Sequence, residues 1–250
     1  MTRLFVDEEL TGQGVATIRG DAAHYLLHVM RCQPGFRLVA VDATGREFSI
    51  VVDNCTRDQV VGRILSSREP AAEPALDLCL YQALLKGKRF ELALQKTVEL
   101  GVSRIVPLVT ERTTVRPDPA RIDGRLHRWR KIALEASRQC GRSDVPDVEA
   151  PLGWADALAH WRASSRPGIV PYEVLAGQQD CALRSALDGL RGTPRLAAFI
   201  GPEGGFAPTE IDRGQQVGLT PVCLGPRILR AETAAIAVCT IVMYELESSE

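Results

Sequence analysis

Two glycine-bearing stretches near the C-terminus contain the residue types best suited to grip a polar ligand. They run from Ile200 to Phe206 and from Leu224 to Ala235, and each follows a short apolar run and precedes a helical pattern. A glycine turn at the carboxyl end of a strand leaves backbone N–H and C=O groups free beside a helix N-terminus. Two such turns in succession predict one composite ligand site.

The sequence lacks the usual signatures of several other enzyme classes. It contains no P-loop, no Gly-x-Gly-x-x-Gly after a strand and no Gly-x-Ser-x-Gly nucleophile elbow. His24 and His28 share a helical face, but no third ligand accompanies them, so we expect no metal site. Seven cysteines without a Cys-x-x-Cys pair indicate neither a zinc cluster nor a disulfide framework.

The composition is that of a globular α/β chain. Its 250 residues are 45% hydrophobic and 24% charged, enough for a small domain and a larger one. The longest apolar stretch, Ala234 to Tyr244, is too short to cross a bilayer. The N-terminal residues turn acidic where a signal peptide needs an apolar core, so we expect a cytoplasmic protein.

Basic residues are concentrated in one part of an otherwise neutral chain. The net charge is -1, yet residues 112 to 142 hold nine Arg and Lys against three Asp and Glu. This excess is large enough to bind phosphates. The alternative is a solvated helix whose charges pair at i,i+4 spacing.

Alternating strands and helices predict a mostly parallel sheet covered on both faces from Leu76 onward. The first seventy residues instead predict a small β-barrel, joined by a polar linker over residues 66–74. In the first part we expect a helix at Asp21–Cys32 and strands at Arg37–Val41, Glu47–Val52 and Gln59–Leu65. In the second part we expect strands at Leu76–Leu85, Arg104–Val109, Ile169–Glu173, Leu196–Ile200 and Pro221–Leu224, and helices at Phe90–Leu100, Arg121–Gln139, Gly153–Arg162, Cys181–Leu190, Thr209–Val217 and Glu232–Leu246.

A series of short segments in order along nearly the whole chain resembles one known family. These segments are Arg3–Phe5, His24–Arg31, Lys86–Arg89, Gln95–Val102, Pro107, Glu111 and Arg112, Glu135–Arg142, Val145–Pro146 and the two glycine stretches. Together they resemble the RsmE-type 16S ribosomal RNA (uridine-N3) methyltransferases, which belong to the SPOUT class of knotted enzymes.

The resemblance implies an α/β fold of SPOUT type, with a deep trefoil knot and a mostly parallel sheet at residues 75–250. It also implies a PUA-like RNA-binding β-barrel at residues 1–70. The implied cofactor is S-adenosyl-L-methionine, bent among three loops, and the implied assembly is a homodimer. The residues expected to bind the cofactor are Ile200, Gly201, Gly204, Gly205, Leu224, Gly225, Ile228, Leu229, Ala231 and Thr233.

The implied reaction gives the charged residues of these loops candidate roles. Methylation at uridine N3 requires loss of the N3 proton, which a carboxylate near the methyl group could accept. Glu203 is the candidate catalytic or base-orienting group, and its alternative role is to stabilise the loop by accepting backbone N–H bonds. Arg230 is the second candidate catalytic residue, placing the base or its phosphate, and its alternative role is to cap the helix or pair with a neighbouring charge. Glu232 is expected in the first turn of the last helix, where the dipole favours an anion.

The resemblance also implies partners and leaves alternatives open. The partner would be 16S rRNA or the assembled 30S subunit, with phosphates held by Arg3, Lys86, Arg89, Arg112, Arg138 and Arg142. Lys88 stands where many relatives carry an acid. One alternative is a related SPOUT methyltransferase that acts on another rRNA position or on tRNA. The other is a non-catalytic RNA-binding assembly protein.

Overall fold

The computed structural model describes residues 2–6, 10, 14–69, 73–176 and 183–247. The chain forms two compact units. The first comprises residues 1–73 together with 137–144, and the second comprises residues 74–136 and 145–250. Among the described residues, no helix combines the length and the apolar composition needed to cross a membrane.

The first unit is built on a five-stranded sheet in the order β1-β3-β4-β5-β2. Its first strand runs parallel to β3, and the other pairings are antiparallel. Alternate side chains, including Leu38, Phe48 and Ile50, form its apolar core. The elements are β1 (Thr2–Phe5), β2 (Val15–Ile18), α1 (Gly20–His24), a π-helical turn (Tyr25–Val29), β3 (Arg37–Val41), β4 (Glu47–Cys55) and β5 (Val60–Arg68).

Four boundary predictions in this unit are wrong: besides the linker and the helix described next, β4 ends at Cys55 and β5 at Arg68, each about three residues beyond its predicted end. The predicted linker at 66–74 starts too early, because residues 66–68 still pair with residues 47–49 of β4. Residues 70–72 of that linker lie outside the described residues. The predicted helix Asp21–Cys32 ends at Val29, because Arg31 adopts a left-handed φ of +50° and the N–H of Cys32 bonds back to the carbonyl of Leu26, a pattern that closes a helix. The sequence analysis also missed β1 and β2.

The second unit contains a seven-stranded sheet in which every pairing is parallel. The strand order is β12-β10-β11-β6-β7-β8, with β9 also paired to β7. The strands are β6 (Asp77–Ala83), β7 (Arg104–Val109), β8 (Asp147–Val148), β9 (Leu152–Gly153), β10 (Gly168–Pro171), β11 (Arg195–Ile200) and β12 (Thr220–Val222). The prediction of an α/β fold with a mostly parallel sheet is confirmed.

Helices alternate with the other five strands as predicted, and each predicted helix end lies within two residues of the described end. The short strands β8 and β9, which no helix separates, were not predicted. The predicted helix Cys181–Leu190 is described only from Leu183, because residues 181 and 182 lie outside the described residues. The helices are α2 (Arg89–Glu99), α3 (Ile122–Cys140), α4 (Trp154–Ala163), α5 (Leu183–Asp188), α6 (Pro208–Gln216) and α7 (Ala231–Glu247).

Both faces of the parallel sheet are buried, as its near-continuous apolar strands require. Leu78 and Leu80 of β6 face a core that includes residues of α2, α3, α5 and α7. Tyr81 faces the opposite core, where its ring stacks on Phe199 of the adjacent β11 at 4.2 Å between centroids. Helices α4 and α6 contribute to this second core. The rigid sheet fixes the loops that follow its strands.

Candidate functional site

Three loops at the carboxyl edge of the sheet enclose a cavity of about 670 Å³. They follow β10, β11 and β12, and they contribute residues 171–176, 200–206 and 223–231. Because these three strands are parallel and adjacent, their carboxyl ends meet at the same edge. The two glycine stretches of the sequence therefore line one cavity, together with a third loop.

Two glycines in these loops have backbone conformations that disfavour other residues. Gly205 has φ of +67° and Gly225 has φ of +109°, both in the left-handed region. A Cβ on Gly205 would also overlap Oε1 of Glu173. Apart from its chain neighbours, no atom of the described residues lies within 4 Å of the Cβ position at Gly225, so its backbone is open to a ligand.

The residues predicted to bind a cofactor, with one exception, line this cavity. Thr233 is exposed in the first turn of α7 and does not line the cavity, whereas Ala234 does. Glu203 and Arg230, the predicted catalytic residues, also line it, as does Arg89. The predicted cofactor residues on the cavity wall are Ile200, Gly201, Gly204, Gly205, Leu224, Gly225, Ile228, Leu229 and Ala231.

The carboxylate of Glu203 joins the first glycine loop to the loop after β6. Its Oε1 accepts a hydrogen bond from the backbone N–H of Lys86 at 2.9 Å and pairs with Arg89 at 3.2 Å. The side chain is 25% exposed. These two contacts favour the loop-stabilising alternative for Glu203.

The residues that follow β7 also hold the first glycine loop and the start of α6. Nη1 of Arg112 donates to the carbonyl of Gly204 at 3.0 Å. The buried carboxylate of Glu210, in the first turn of α6, accepts from the N–H groups of Ala207 and Glu111, each at 2.9 Å. Sequence reasoning missed Glu210, although an acid three residues after a helix start is a recognisable capping signal.

Sequence reasoning also missed most residues of the third loop. Tyr172, Glu173 and Ala176 follow β10 and line the cavity. The carboxylate of Glu173 makes no side-chain hydrogen bond or ion pair with any described residue. Glu232 lies in the first turn of α7 as predicted, and its Oε2 is buried without a hydrogen-bond partner in the described structure.

Two arginines predicted to bind RNA are engaged within the first unit. Nη1 of Arg3 pairs with Glu47 at 2.7 Å, and its Nη2 donates to the carbonyl of Arg142 at 2.9 Å. Arg142 pairs with Glu73 at 2.8 Å, and its side chain is 10% exposed. Burial by itself would raise the pKa of Glu73, but the hydrogen bond from Ser143 and the charge of Arg142 outweigh it, so this pKa is lowered.

The other predicted RNA residues differ in exposure, and Arg138 is half-buried. The guanidinium of Arg138 lies over the ring of Tyr25, 5.2 Å from its centroid, in a cation–π contact. Lys86 and Arg112 are exposed beside the candidate site. Within the described ranges, no three His, Cys, Asp or Glu side chains are grouped to hold a metal ion.

The second unit, with its parallel sheet and its cavity, corresponds to a known class of protein domain. A family model described as an RNA methyltransferase domain matches residues 72–243. This match includes all three loops of the candidate site.

Individual relatives narrow the class. The chain is 30% identical to ribosomal RNA small subunit methyltransferase E of Bacillus subtilis, over 99% of this chain and 98% of that protein. It is 32% identical to the enzyme of the same name from Mycobacterium bovis, over 93% and 87% of the two chains. The chain belongs to the ribosomal RNA small subunit methyltransferase E family.

A solved structure agrees with this assignment. The ribosomal RNA small subunit methyltransferase E of Neisseria gonorrhoeae, bound to S-adenosyl methionine, superposes with a TM-score of 0.84. The two sequences are 28% identical, and the match covers 100% of both chains.

Proposed function

We propose that this protein is an S-adenosylmethionine-dependent enzyme that methylates N3 of a specific uridine in 16S ribosomal RNA of the small subunit. The observation that carries the proposal is the single cavity built from three backbone-rich loops in a member of this family. The substrate class follows from the relatives, which are named as methyltransferases of small-subunit ribosomal RNA. Because ribosomal RNA is the proposed substrate, we place the enzyme in the cytoplasm.

The cavity fits the proposed cofactor in size and chemistry. About 670 Å³ is within the usual range for a small-molecule site. Apolar walls from Ile200, Leu224 and Leu229 suit the adenine and the methionine chain, while the backbone at Gly225 is open to polar groups. When bound, S-adenosylmethionine supplies an electrophilic methyl group on its sulfonium.

The carboxylates of the cavity differ in how they can act on the uridine. Glu203 is occupied by Lys86 and Arg89, so we propose that it positions the two loops. Glu173 has no such partner and lines the same cavity, so we propose that it accepts the N3 proton. Arg230 is exposed at the cavity wall and makes no side-chain ion pair with a described residue, which suits contact with the base or its phosphate.

Further features are proposed on the resemblance stated above. We propose that residues 1–70 form a PUA-like RNA-binding barrel, that residues 75–250 form the SPOUT domain with a C-terminal trefoil knot, and that the enzyme is a homodimer. The five-stranded sheet of the first unit supports the barrel. Exposed Ile241 and Tyr244 on α7 support a subunit interface, because large apolar side chains in water favour association. Thr233 is exposed on the same helix. We propose that it contacts the cofactor, because the next residue, Ala234, lines the cavity.

RNA contacts are proposed mainly for cations that remain accessible. Lys86, Arg89 and Arg112 lie at or beside the cavity and would hold phosphates next to the target base. Arg3 and Arg142 are committed to Glu47 and Glu73, so their contribution to RNA binding would be indirect.

Primer extension tests the function directly. Unmodified small subunits, their naked RNA, other ribosomal RNA and tRNA are incubated separately with enzyme and S-adenosylmethionine, and reverse transcriptase is then run across each RNA. Methylation at N3 blocks the Watson–Crick face, so we expect one new stop at a uridine. A stop only in another rRNA or in tRNA would favour a related methyltransferase. Absence of any stop, combined with no calorimetric binding of S-adenosylhomocysteine, would favour a non-catalytic RNA-binding protein.

A further inference from the structure

A second cavity of about 930 Å³ lies between α2 and α3, outside the candidate site. We call it the α2–α3 groove. Leu92 and Ile132 provide apolar surface in it, and Lys86, Lys88 and Lys131 are exposed around it. Leu92 is 42% exposed and Ile132 is half-buried beside it, so the groove has an apolar floor that no described residue covers.

The groove adjoins the candidate site through one residue. Arg89 lines both cavities, and it pairs with Glu203 of the first glycine loop. The N–H of Lys86 bonds to the same carboxylate. A chain that leaves the candidate site past Arg89 therefore enters the groove directly.

The charges that line the groove are predominantly positive. Five cations line it against two carboxylates, Glu91 and Glu135. Arg128 pairs with Glu91 at 2.6 Å, and Arg89 pairs with Glu203. The three lysines of the groove make no ion pair with any described residue. Their charges are available to an anionic partner.

We propose that the α2–α3 groove binds the single-stranded RNA segment adjoining the methylated nucleotide, a proposal that rests on the function proposed above. Phosphates of such a strand complement the three unpaired lysines, and unstacked bases or riboses suit the apolar floor. A second copy of this chain fits less well, because a twofold contact centred on the groove would bring two net-positive surfaces together.

Charge-reversal variants test this assignment. Lys88→Glu combined with Lys131→Glu should weaken binding of the unmodified small-subunit RNA at least tenfold in a filter assay. Each lost phosphate contact should flatten the salt dependence by about 0.7 in log–log slope, so the pair should flatten it by about 1.4. Binding of S-adenosylhomocysteine should not change, because neither lysine lines the first cavity.

The matched control carries the same kind of charge reversal on the opposite face of the sheet. Arg162→Glu alters an exposed residue of α4, which lines neither cavity, and should leave RNA binding and its salt slope unchanged. The milder pair Lys88→Gln and Lys131→Gln should move the slope in the same direction as the Glu pair. A photo-crosslinker placed at Leu92 should label nucleotides next to the reverse-transcriptase stop.

Each other outcome counts against the groove. An RNA affinity and slope equal to those of Arg162→Glu would overturn it while leaving the proposed function intact, since the wild-type enzyme would still produce the stop. Crosslinks confined to distant nucleotides, or a changed oligomeric state in sedimentation, would assign the groove to another partner. If the wild-type enzyme gives neither a stop nor RNA binding, the proposed function fails and the groove fails with it.

Discussion

Replacing Glu203 by Gln separates a positioning role from a catalytic one. The substitution keeps the size of the side chain. It also keeps an oxygen that can accept a hydrogen bond from the N–H of Lys86, whose nitrogen lies 2.9 Å from Oε1 of Glu203. It removes the charge that attracts Arg89 at 3.2 Å. The two loops joined by these contacts should then separate more easily.

The size of the effect follows from the exposure of the site. A partly exposed ion pair contributes about 0.2 to 1 kcal/mol, and weakening a charge-assisted hydrogen bond to a neutral one costs about 1 kcal/mol. Because the side chain of the partner Arg89 is 37% exposed and water screens the pair, we take the lower end of the sum, about 1 kcal/mol, which corresponds to about fivefold in affinity. Loss of a general base would instead lower the rate by about 10² to 10⁴.

Calorimetry with S-adenosylhomocysteine and single-turnover methylation distinguish these outcomes. Glu203→Gln should weaken binding about fivefold and leave the rate at saturating cofactor within about tenfold of wild type. Glu173→Gln is the comparison variant, and it should lower that rate by about 10² or more while leaving cofactor binding within about twofold of wild type. A drop of 10² in the Glu203 variant with unchanged binding would refute the positioning role.

Three further predictions concern the loops and the first unit. Gly205→Ala forces a left-handed alanine, at a cost of about 1 to 2 kcal/mol, and displaces Glu173, so binding of S-adenosylhomocysteine should weaken at least fivefold in calorimetry. Arg112→Ala removes the hydrogen bond to Gly204, worth about 1 kcal/mol, and should weaken the same binding about fivefold; equal affinity would show that Arg112 does not hold the loop. The lowered pKa of Glu73 contributes stability above its ordinary value of 4.5, and this stability is lost as the pH falls through the folded-state pKa. Urea unfolding from pH 6 to pH 3 should show this loss in the wild type and less of it in Glu73→Gln.

Local patterns were sufficient to predict the two glycine loops. Glycines after apolar runs mark turns at strand ends, and Gly205 and Gly225 do have the left-handed conformations that such turns use. The spacing of apolar residues predicted the boundaries of β11 and α7 to within about one residue. The strand order that brings these loops to one cavity is a property of the whole sheet, which no local pattern contains.

Residues whose roles depend on distant partners were not predictable in the same way. Glu173 follows β10 without a glycine beside it, so nothing local indicated that it lines the cavity. Arg142 looks like one more cation in a basic stretch, but it pairs with Glu73, which is 69 residues away. Glu203 could be placed in a loop from sequence, yet its contact with Lys86 spans 117 residues and decides its role.

The first unit is formed by two separate stretches of the sequence, which limits where the protein can be truncated. Residues 137–144 belong with residues 1–73, although they follow most of α3 in sequence. A fragment that starts at residue 74 would keep Arg142 and lose Glu73, leaving a guanidinium with 10% exposure beside an empty position. A single truncation therefore cannot separate the two units intact. A truncation study would need to remove residues 137–144 together with the N-terminal part, or to join them to it.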